Sequence, residues 1–428
     1  MGRSSELNKK LKSSKIFLLL FFLCANLVAC GMEGHAATIL VGSDQQVKSI
    51  QKALEMANDH DTIKVMAGTY REGNIIIRKP VVLMGVNRPI IDGEKQHEPF
   101  SVYASDVTIK GFAINNSGRS AMSDIGAIKV YAQDRITIED NILDDNFFGI
   151  YLQQARNCII KDNKITGYGA SELLTGNGIH AWKSGAITIE NNEVIGHRDG
   201  VYLEFVTNSV VDHTKALHNL RYGLHFMFSH DNSYTYNTFT GNGAGVAVMY
   251  TRNVRMEHNV FNENWGDAAY GLLLKDIMDS HIANNVFNTN TTGIYMEGSN
   301  RVHLERNVFE ANGWAIKIQG SCEDNVITAN NFIQNTFDIA TTASRSYNTF
   351  SGNYWDKYEG YDLDKDKVGD VPYRPVSLYS VIVERYPTAM ILFRSFMVTL
   401  LDRTERLIPS LTPEDLKDDV PLMKPLQL

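Results

Sequence analysis

The chain has 428 residues, of which 43% are hydrophobic, and a formal net charge of −8 at neutral pH. Residues 1–29 carry five basic side chains and one acid, so the remainder has 36 basic and 48 acidic side chains. Nucleic-acid binding depends on a basic surface, so this acidic balance argues against a nucleic-acid partner.

The first thirty residues have the pattern of an export signal. Their basic side chains precede an apolar run at 16–29, which is shorter than the ~20 residues of a membrane span. The run ends in LVAC at 27–30, which resembles a bacterial lipobox, so we predict cleavage before Cys30 and lipidation of that residue. The alternative is ordinary signal cleavage after residue 36 or 37. The later cysteines, Cys158 and Cys322, are far apart and predict no disulfide framework.

A repeat of about 22 residues dominates the middle of the chain. Short alternating runs begin at Gly149, Gly178, Gly200, Gly223, Gly245, Gly271, Gly293 and Ala315. Most are followed fourteen residues later by an asparagine: Asn163, Asn192, Asn237, Asn259, Asn285 and Asn307. This period, with short β-rich runs and Asn or Gly turns, predicts an all-β fold, a right-handed parallel β-helix. A leucine-rich repeat would need helical segments and a leucine pattern that this sequence lacks.

The sequence outside the repeat divides into segments with different patterns. After the signal at 1–30, we predict an N-terminal cap and first strands at 37–95, with a helix near 47–59, then the β-helix at 96–355. A C-terminal extension at 356–428 follows. Its stretch 389–408 is apolar but contains Arg394, so we expect an amphipathic helix that binds the membrane surface or a membrane partner. The tail beyond it is expected to be extended.

The alternation after each glycine places the second and fourth residues of each run on the outer face. The middle of that face then contains His180, Trp182, Tyr202, Glu204, His225, Met227 and Met249. An imidazole and two thioethers select Cu(I), so we predict an exposed copper site formed by His225, Met227 and Met249.

Three neighbours of this predicted site are secondary candidates. Glu204 is placed to orient an imidazole or to pair with Lys275, and His180 and Trp182 lie beside it. The alternative is that the methionines and rings pack beneath inserted segments near 169–177 and 265–270. Three other histidines, His197, His213 and His218, fall in turns and are expected to be ordinary surface residues.

An acidic loop in the extension offers a second candidate metal site. The run YDLDKDKVGD places Asp362, Asp364, Asp366 and Asp370 on a short loop, as in Ca²⁺ loops related to the EF-hand. It lacks the distal glutamate of a full EF-hand. We predict a structural Ca²⁺ site, with a solvated acidic turn as the alternative.

Several segments together resemble the NosD family of periplasmic β-helix proteins that mature nitrous oxide reductase. They include GNGIHAWKS at 176–184, RDGVYLEFVTNS at 198–209, RYGLHFMFSHDN at 221–232, GAGVAVMYT at 243–251 and GNYWDKYEGYDLDKDKVGDVPYRP at 352–375. DTIKVMAGTYREGN at 61–74 also fits, but it is general to β-helix proteins. The resemblance covers essentially the chain that follows the signal.

The resemblance implies a non-catalytic maturation protein of the periplasm or of the outer face of the cytoplasmic membrane. Proteins of this kind act with an ABC-type ATPase and permease, NosF and NosY. They receive copper through a chaperone lipoprotein of the NosL type and support copper-site assembly in the reductase of denitrifying bacteria. The copper ligands named above are not carried over from the family. The lipobox is a departure, because the family does not require a lipid anchor of its own.

The competing function is enzymatic, because parallel β-helices also form polysaccharide lyases, hydrolases and epimerases. Such an enzyme would need paired acids, or an acid with Lys or Arg, on the outer face. Glu204, Lys275, Asp276 and Glu297 are available there, but Met, His and aromatic residues occupy its centre. A passive scaffold is a third possibility.

Overall fold

The computed structural model describes residues 36–120, 123–169, 171–266, 269–343, 345–407 and 415–428. From Thr38 onward, the described chain coils through three sheets in which every strand pairs in parallel with the equivalent strands of the turns before and after it. The predicted parallel β-helix is therefore confirmed. The sheets run from Thr38 to Trp355, so the segment 37–95 supplies the first turns of the same coil.

The three sheets contain 14, 13 and 12 strands among the described residues. The strands of sheet one are Thr38–Val41, Thr62–Val65, Val82–Gly85, Thr108–Lys110, Thr137–Glu139, Ile159–Lys161, Thr188–Glu190, Val210–Asp212, Ser233–Thr235, Arg255–Glu257, His281–Ala283, His303–Glu305, Val326–Thr328 and Thr349–Ser351. Those of sheet two are Thr69–Tyr70, Ile90–Asp92, Ala113–Asn115, Ile142–Asp144, Lys164–Thr166, Glu193–Ile195, Lys215–Leu217, Thr238–Thr240, Val260–Asn262, Val286–Asn288, Val308–Glu310, Asn331–Ile333 and Tyr354–Trp355. Those of sheet three are Ile75–Ile77, Phe100–Val102, Gly126–Tyr131, Phe148–Gln153, Ile179–Trp182, Asp199–Glu204, Tyr222–Met227, Ala244–Met249, Tyr270–Lys275, Thr292–Glu297, Trp314–Ile318 and Phe337–Thr341.

Identical positions of successive turns stack inside the coil and form its core. In the three-residue strands of sheets one and two, the middle residue points inward and is buried. In sheet two the rings of Phe261, Phe287 and Phe309 stack face to face with centroids 4.5 and 4.9 Å apart. The stack ends on Trp355, 4.1 Å from Phe332. Because each turn covers the apolar face of the next, the core is continuous along the coil.

Two ladders of buried asparagines connect the turns at the corners of the coil. In the first ladder, the backbone N–H of each asparagine donates to the side-chain oxygen of the next, as from Asn237 to Asn259 at 3.0 Å and from Asn259 to Asn285 at 2.8 Å. The predicted asparagine at each turn thus bonds from turn to turn. The residue before the asparagine has a left-handed backbone conformation, as at Tyr236 and His258, each with φ above 50°.

The predicted N-terminal helix is present at Ile50–Met56. Ser49 is its N-cap, and the Glu72 carboxylate accepts hydrogen bonds from the backbone N–H groups of Ile50 and Gln51. These bonds satisfy donors that a helix start leaves free. The helix buries Ile50 and Leu54 in the core of the coil.

The C-terminal extension has two parts with different roles. The helix Leu378–Arg385 packs on the last strands of sheet three, and the 3-10 turn Pro387–Leu392 and the helix Phe396–Leu407 follow. Residues 415–428 then return to the end of the coil, where Leu416 and Asp418 are buried. The tail was expected to be extended, and the structure adds that it forms part of the end of the β-helix, because its side chains complete the last turn.

Candidate functional site

The register of sheet three bears on the predicted copper ligands. Met227 pairs with Glu204 in the strand before it and with Met249 in the strand after it, and His225 pairs with Tyr202 and Ala247. The two methionines are therefore neighbours on adjacent strands, as the alternation predicted. Both side chains are half-buried.

The imidazoles on this face are buried, whereas the predicted copper site was exposed. His225 and His180 are 5% and 7% exposed. They belong to a column of rings, Tyr151, His180, Tyr202 and His225, whose successive centroids are 4.7, 4.8 and 4.5 Å apart. At the spacing of adjacent parallel strands, flat rings on equivalent positions cover each other's faces, so the column excludes water from the imidazoles.

Asp199, which the sequence analysis did not select, is the charged partner of His225. Its carboxylate is fully buried, with Oδ2 3.4 Å from His225 Nδ1, and Arg221 Nε donates to Oδ1 at 2.8 Å. Burial by itself would raise the pKa of Asp199. The hydrogen bonds and charge of Arg221 and His225 outweigh burial and lower that pKa to about 2, so the group is an anion at neutral pH.

A sequence signal for Asp199 exists but is weak. It is the residue directly before the glycine of its repeat, where the neighbouring turns have Asn177, Tyr222 and Ala244. An acid at this position, with an arginine one turn later, marks a buried ion pair. Spacing within one repeat does not show that pairing.

The Asp199 carboxylate determines which ring nitrogen of His225 is free. In the neutral imidazole, an anion beside Nδ1 favours the tautomer with the proton on that nitrogen and the lone pair on Nε2. Nε2 is buried and has no hydrogen-bond partner among the residues that the structure describes. Met227 lies two residues beyond His225 on the same strand, where it pairs in register with Glu204.

Glu204, predicted to orient an imidazole, lies near His180. Its Oε2 is 4.0 Å from His180 Nε2, and Lys275 pairs with Glu297 instead, at 3.3 Å. Burial, aided by the charge of Arg198, lowers the pKa of His180 to about 3, so this imidazole is neutral. Neither of its nitrogens has a hydrogen-bond partner within the described chain.

Trp182 is half-buried and lies two residues beyond His180 on the same strand. It pairs in register with Glu204, and the Lys183 ammonium group lies 4.4 Å from its ring centroid. Trp182 therefore lies beside the ring column, on the same strand as His180, and is not part of that column.

The prediction that His197 is an ordinary surface residue is wrong. It is fully buried, and burial lowers its pKa to about 4. Its backbone N–H donates to the Asn219 side chain at 3.1 Å, so it occupies the position of an asparagine in the second ladder. His213 and His218 are exposed, as expected.

Three of the four acids of the predicted calcium loop converge. Carboxylate oxygens of Asp362, Asp364 and Asp366 all lie within 4.8 Å of one another. Asp370 is not part of this group, and its carboxylate accepts the backbone N–H of Leu363 at 2.6 Å. Cys30, the predicted lipidation site, lies outside the described residues.

The C-terminal extension carries an exposed apolar surface. The side chains of Ile391 and Phe396 are 88% and 81% exposed, and Tyr386, Leu392, Phe393, Met397 and Leu400 add to the same segment. Among the described residues, we find no helix that is both long and apolar enough to span a bilayer. The stretch 389–408, predicted to be one amphipathic helix, is formed by a 3-10 turn and a helix that are joined at 393–395.

Comparison with known proteins gives one match to a fold class and another to a protein family. Residues 81–194 match the family model described as right handed beta helix region, in agreement with the predicted handedness. Residues 168–360, which include His180, Tyr202 and His225 of the ring column and both methionines and end before the acidic loop, match the model described as periplasmic copper-binding protein (NosD).

Two relatives carry the same name, probable ABC transporter binding protein NosD. The one from Stutzerimonas stutzeri is 26% identical over 381 residues, which cover 84% of this chain and 86% of that protein. The one from Pseudomonas aeruginosa is 34% identical over 112 residues, about a quarter of the length of either chain. These matches confirm the resemblance to the NosD family that the sequence predicted.

Solved structures share the architecture at low identity. The catalytic unit of a GH87 alpha-1,3-glucanase from Streptomyces thermodiastaticus has a TM-score of 0.56 at 14% identity, covering 76% of this chain and 70% of that one. DFA-IIIase from Arthrobacter chlorophenolicus A6 has a TM-score of 0.51 at 12% identity, covering 73% and 88%. These likenesses concern the fold alone.

Proposed function

We propose that the protein is a non-catalytic maturation factor that accepts Cu(I) and passes it towards nitrous oxide reductase, working with an ABC transporter. His225, Met227 and Met249 would be the ligands. The observation that carries the proposal is the buried Asp199–His225 pair, which leaves Nε2 without a hydrogen-bond partner among the described residues, on a strand whose Met227 pairs in register with Met249. A carboxylate behind a ligating imidazole is a common feature of metal sites.

The ligand chemistry favours the reduced copper ion. Thioethers and a neutral imidazole suit Cu(I), whereas Ca²⁺ prefers oxygen ligands and Zn²⁺ sites rarely contain methionine. Because His225 is buried while both methionines are partly accessible, copper would enter on the methionine side. Transfer to a partner would use that same side, since it is the side on which a partner's ligands can approach.

A Cu(I) titration against a competing chelator tests this proposal. The double variant Met227→Leu/Met249→Leu keeps the volume of both side chains and removes both sulfurs, so we expect folding to change little and Cu(I) affinity to fall by at least about tenfold. The matched control is Met56→Leu/Met278→Leu, which removes two exposed sulfurs elsewhere. Equal affinity in parent and double variant would show that the methionine pair is packing.

His225→Phe separates the imidazole's role from that of the sulfurs. The substitution keeps a ring in the column of stacked side chains but has no ring nitrogen. We expect it to lower Cu(I) affinity while the thermal midpoint stays close to that of the parent. If the protein were instead an enzyme acting on polysaccharide, the variant would turn over substrate without copper. Absence of activity on polyuronates and glucans would contradict that alternative.

The proposed association with the transporter uses the exposed apolar surface of the extension. We propose that Ile391 and Phe396 pack against the membrane-embedded permease, since both are more than 80% exposed. Ile391→Ser/Phe396→Ser should abolish co-purification with the permease. The control Leu173→Ser/Leu174→Ser removes two leucines that are 91% and 67% exposed on an inserted loop, and it should have no effect. Copper delivery by a NosL-type chaperone and lipid anchoring through Cys30 belong to the same proposal.

A further inference from the structure

A ligand-sized cavity lies between the last turn of the coil and the C-terminal extension. Its volume is about 960 Å³, near the upper end of the range typical for small-molecule sites. The last strand of sheet three forms one wall, residues 357–361 and 371–380 form others, and Phe393 and Val398 close it from the extension. The proposed copper ligands do not line it.

A buried carboxylate with one unsatisfied oxygen lies in the wall of this cavity. Asp338 is 2% exposed, and its Oδ2 faces Lys357 Nζ at 3.3 Å and the Tyr373 hydroxyl at 3.4 Å. Its Oδ1 has no hydrogen-bond partner in the part of the chain that the structure describes. A buried acceptor left in this condition costs free energy that a donor from outside would recover.

The local charge balance favours a cationic donor. Burial raises the pKa of Asp338 to about 6, although Lys357 acts against this rise, and the nearby Asp356 adds to it. The Lys357 ammonium group is already held by the carbonyl oxygens of Asn335 and Thr336. The other basic residues that line the cavity do not fill the position: Lys417 pairs with Asp419, and the side chain of Arg374 is exposed.

Aromatic rings line the cavity in two groups. Tyr358 and Tyr373 meet edge to face on one side, with centroids 5.9 Å apart. Phe337 contacts Tyr379 and Phe393 on the other, at 5.7 and 6.4 Å. Rings in such a group attract a cation by their negative faces, and a carboxylate among them adds a hydrogen-bond acceptor.

We propose that this cavity binds a primary ammonium group, which donates to Asp338 Oδ1 and lies among the aromatic rings. The group can come from a free alkylamine or from a lysine side chain of a partner polypeptide. The cavity adjoins the exposed apolar surface of the extension through Phe393, so a lysine of a protein docked there would reach it. The inference is independent of copper binding.

Calorimetric titration of the full chain tests the proposal with three probes. n-Butylammonium represents a free amine, and the acetylated and amidated tripeptide Gly-Lys-Gly represents a lysine side chain. Tetramethylammonium is a cation without an N–H donor. We expect binding of one or both primary amines, and roughly tenfold weaker binding of tetramethylammonium, because a hydrogen bond to a charged group contributes about that factor or more. Preference for the tripeptide would identify a polypeptide source.

Two variants determine whether Asp338 is the acceptor. Asp338→Asn should weaken the primary amine by at least about tenfold, whereas Glu359→Gln, an equal change of charge at the rim, should leave its affinity within about twofold. Phe393→Ala removes a partly exposed wall residue without touching the buried acid and should also weaken binding, which keeps the test valid if Asp338→Asn fails to fold. Absence of binding by both primary amines, or unchanged affinity in Asp338→Asn, would overturn the proposal.

Discussion

Asp418 Oδ2 accepts hydrogen bonds from both the backbone N–H and the side-chain amide of Asn353, each at 3.0 Å. Asn353 is the last asparagine of the first ladder, and each earlier asparagine in its neighbourhood donates in the same way to the asparagine of the following turn. Asp418 is 65 residues further along the chain and occupies the position of that next asparagine. Its other oxygen accepts from Gly352 and Val420.

Replacing Asp418 should therefore loosen the end of the coil. We expect Asp418→Ala to lower the free energy of unfolding by at least about 3 kcal/mol, because it leaves several buried donors unsatisfied. Urea denaturation measures the loss, and hydrogen exchange at 349–355 locates it. Asp419→Ala, at the adjacent exposed acid, is the control and should change stability by under about 0.5 kcal/mol.

His197 should make the fold sensitive to acid. Its pKa is about 4 in the folded protein, below the ordinary value of 6.5, so as the pH falls below 6.5 the unfolded chain gains a proton that the folded chain excludes. This contribution to stability is complete above pH 6.5 and decreases towards pH 4, by up to roughly 3 kcal/mol. The buried His180 acts in the same direction.

His197→Asn restores the asparagine of the ladder and removes the titrating group. We expect its urea midpoint to exceed that of the parent at pH 4.5 by a wider margin than at pH 7.5. His303→Asn, at an exposed histidine, is the control. Parallel pH profiles for parent and His197→Asn would contradict the assignment.

Asp199 should contribute to Cu(I) affinity without touching the ion. Asp199→Asn removes the anion that holds the proton on His225 Nδ1, so we expect Cu(I) binding to weaken by roughly 10- to 100-fold. Competition with a Cu(I) chelator provides the measurement, and the thermal midpoint shows how much of the effect is structural. Glu204→Gln, whose carboxylate lies near His180, should retain the parent affinity to within a few fold. If both variants bind like the parent, the His225 imidazole is not a ligand.

Calcium should order the acidic loop through three of its four acids. We expect Ca²⁺ to protect residues 356–375 from proteolysis and EDTA to reverse the protection, because three carboxylates that converge repel each other without a cation. Asp364→Asn should reduce the protection strongly. Asp370→Asn, outside the converging group, should reduce it less, and equal effects of the two substitutions would argue against the three-carboxylate site.

The outer column of sheet three was predictable, and its burial was not. The 22-residue period and the alternation within each run place Met249 over Met227, since both follow from the geometry of a strand. Alternation shows which side of a sheet a residue occupies. It does not show that rings on that side stack closely enough to exclude water, as those of Tyr202 and His225 do.

The contacts that escaped prediction join residues from different turns or from the tail. Asp199 contacts His225 and Arg221 only because successive turns stack. Asp199 and Arg221 are separated by 22 residues in sequence. Asp418 completes a ladder that begins near Asn141, and the sequence around Asp418 has no repeat pattern. A sequence period identifies residues that occupy equivalent positions in successive turns. A residue from outside the repeat that takes such a position, as Asp418 does, leaves no periodic signal in the sequence.

The returning tail also covers the strand edges at the end of the coil. A parallel β-helix grows by adding turns, and a bare last turn exposes strand edges and free amide donors that fit the first turn of another copy. Residues 415–428 occupy that position with bridges from Asp418 to Phe350 and from Leu422 to Tyr354. A chain that lost these residues would expose its last turn to end-to-end polymerisation. This short segment therefore blocks further stacking in a fold whose repeat does not itself limit the number of turns.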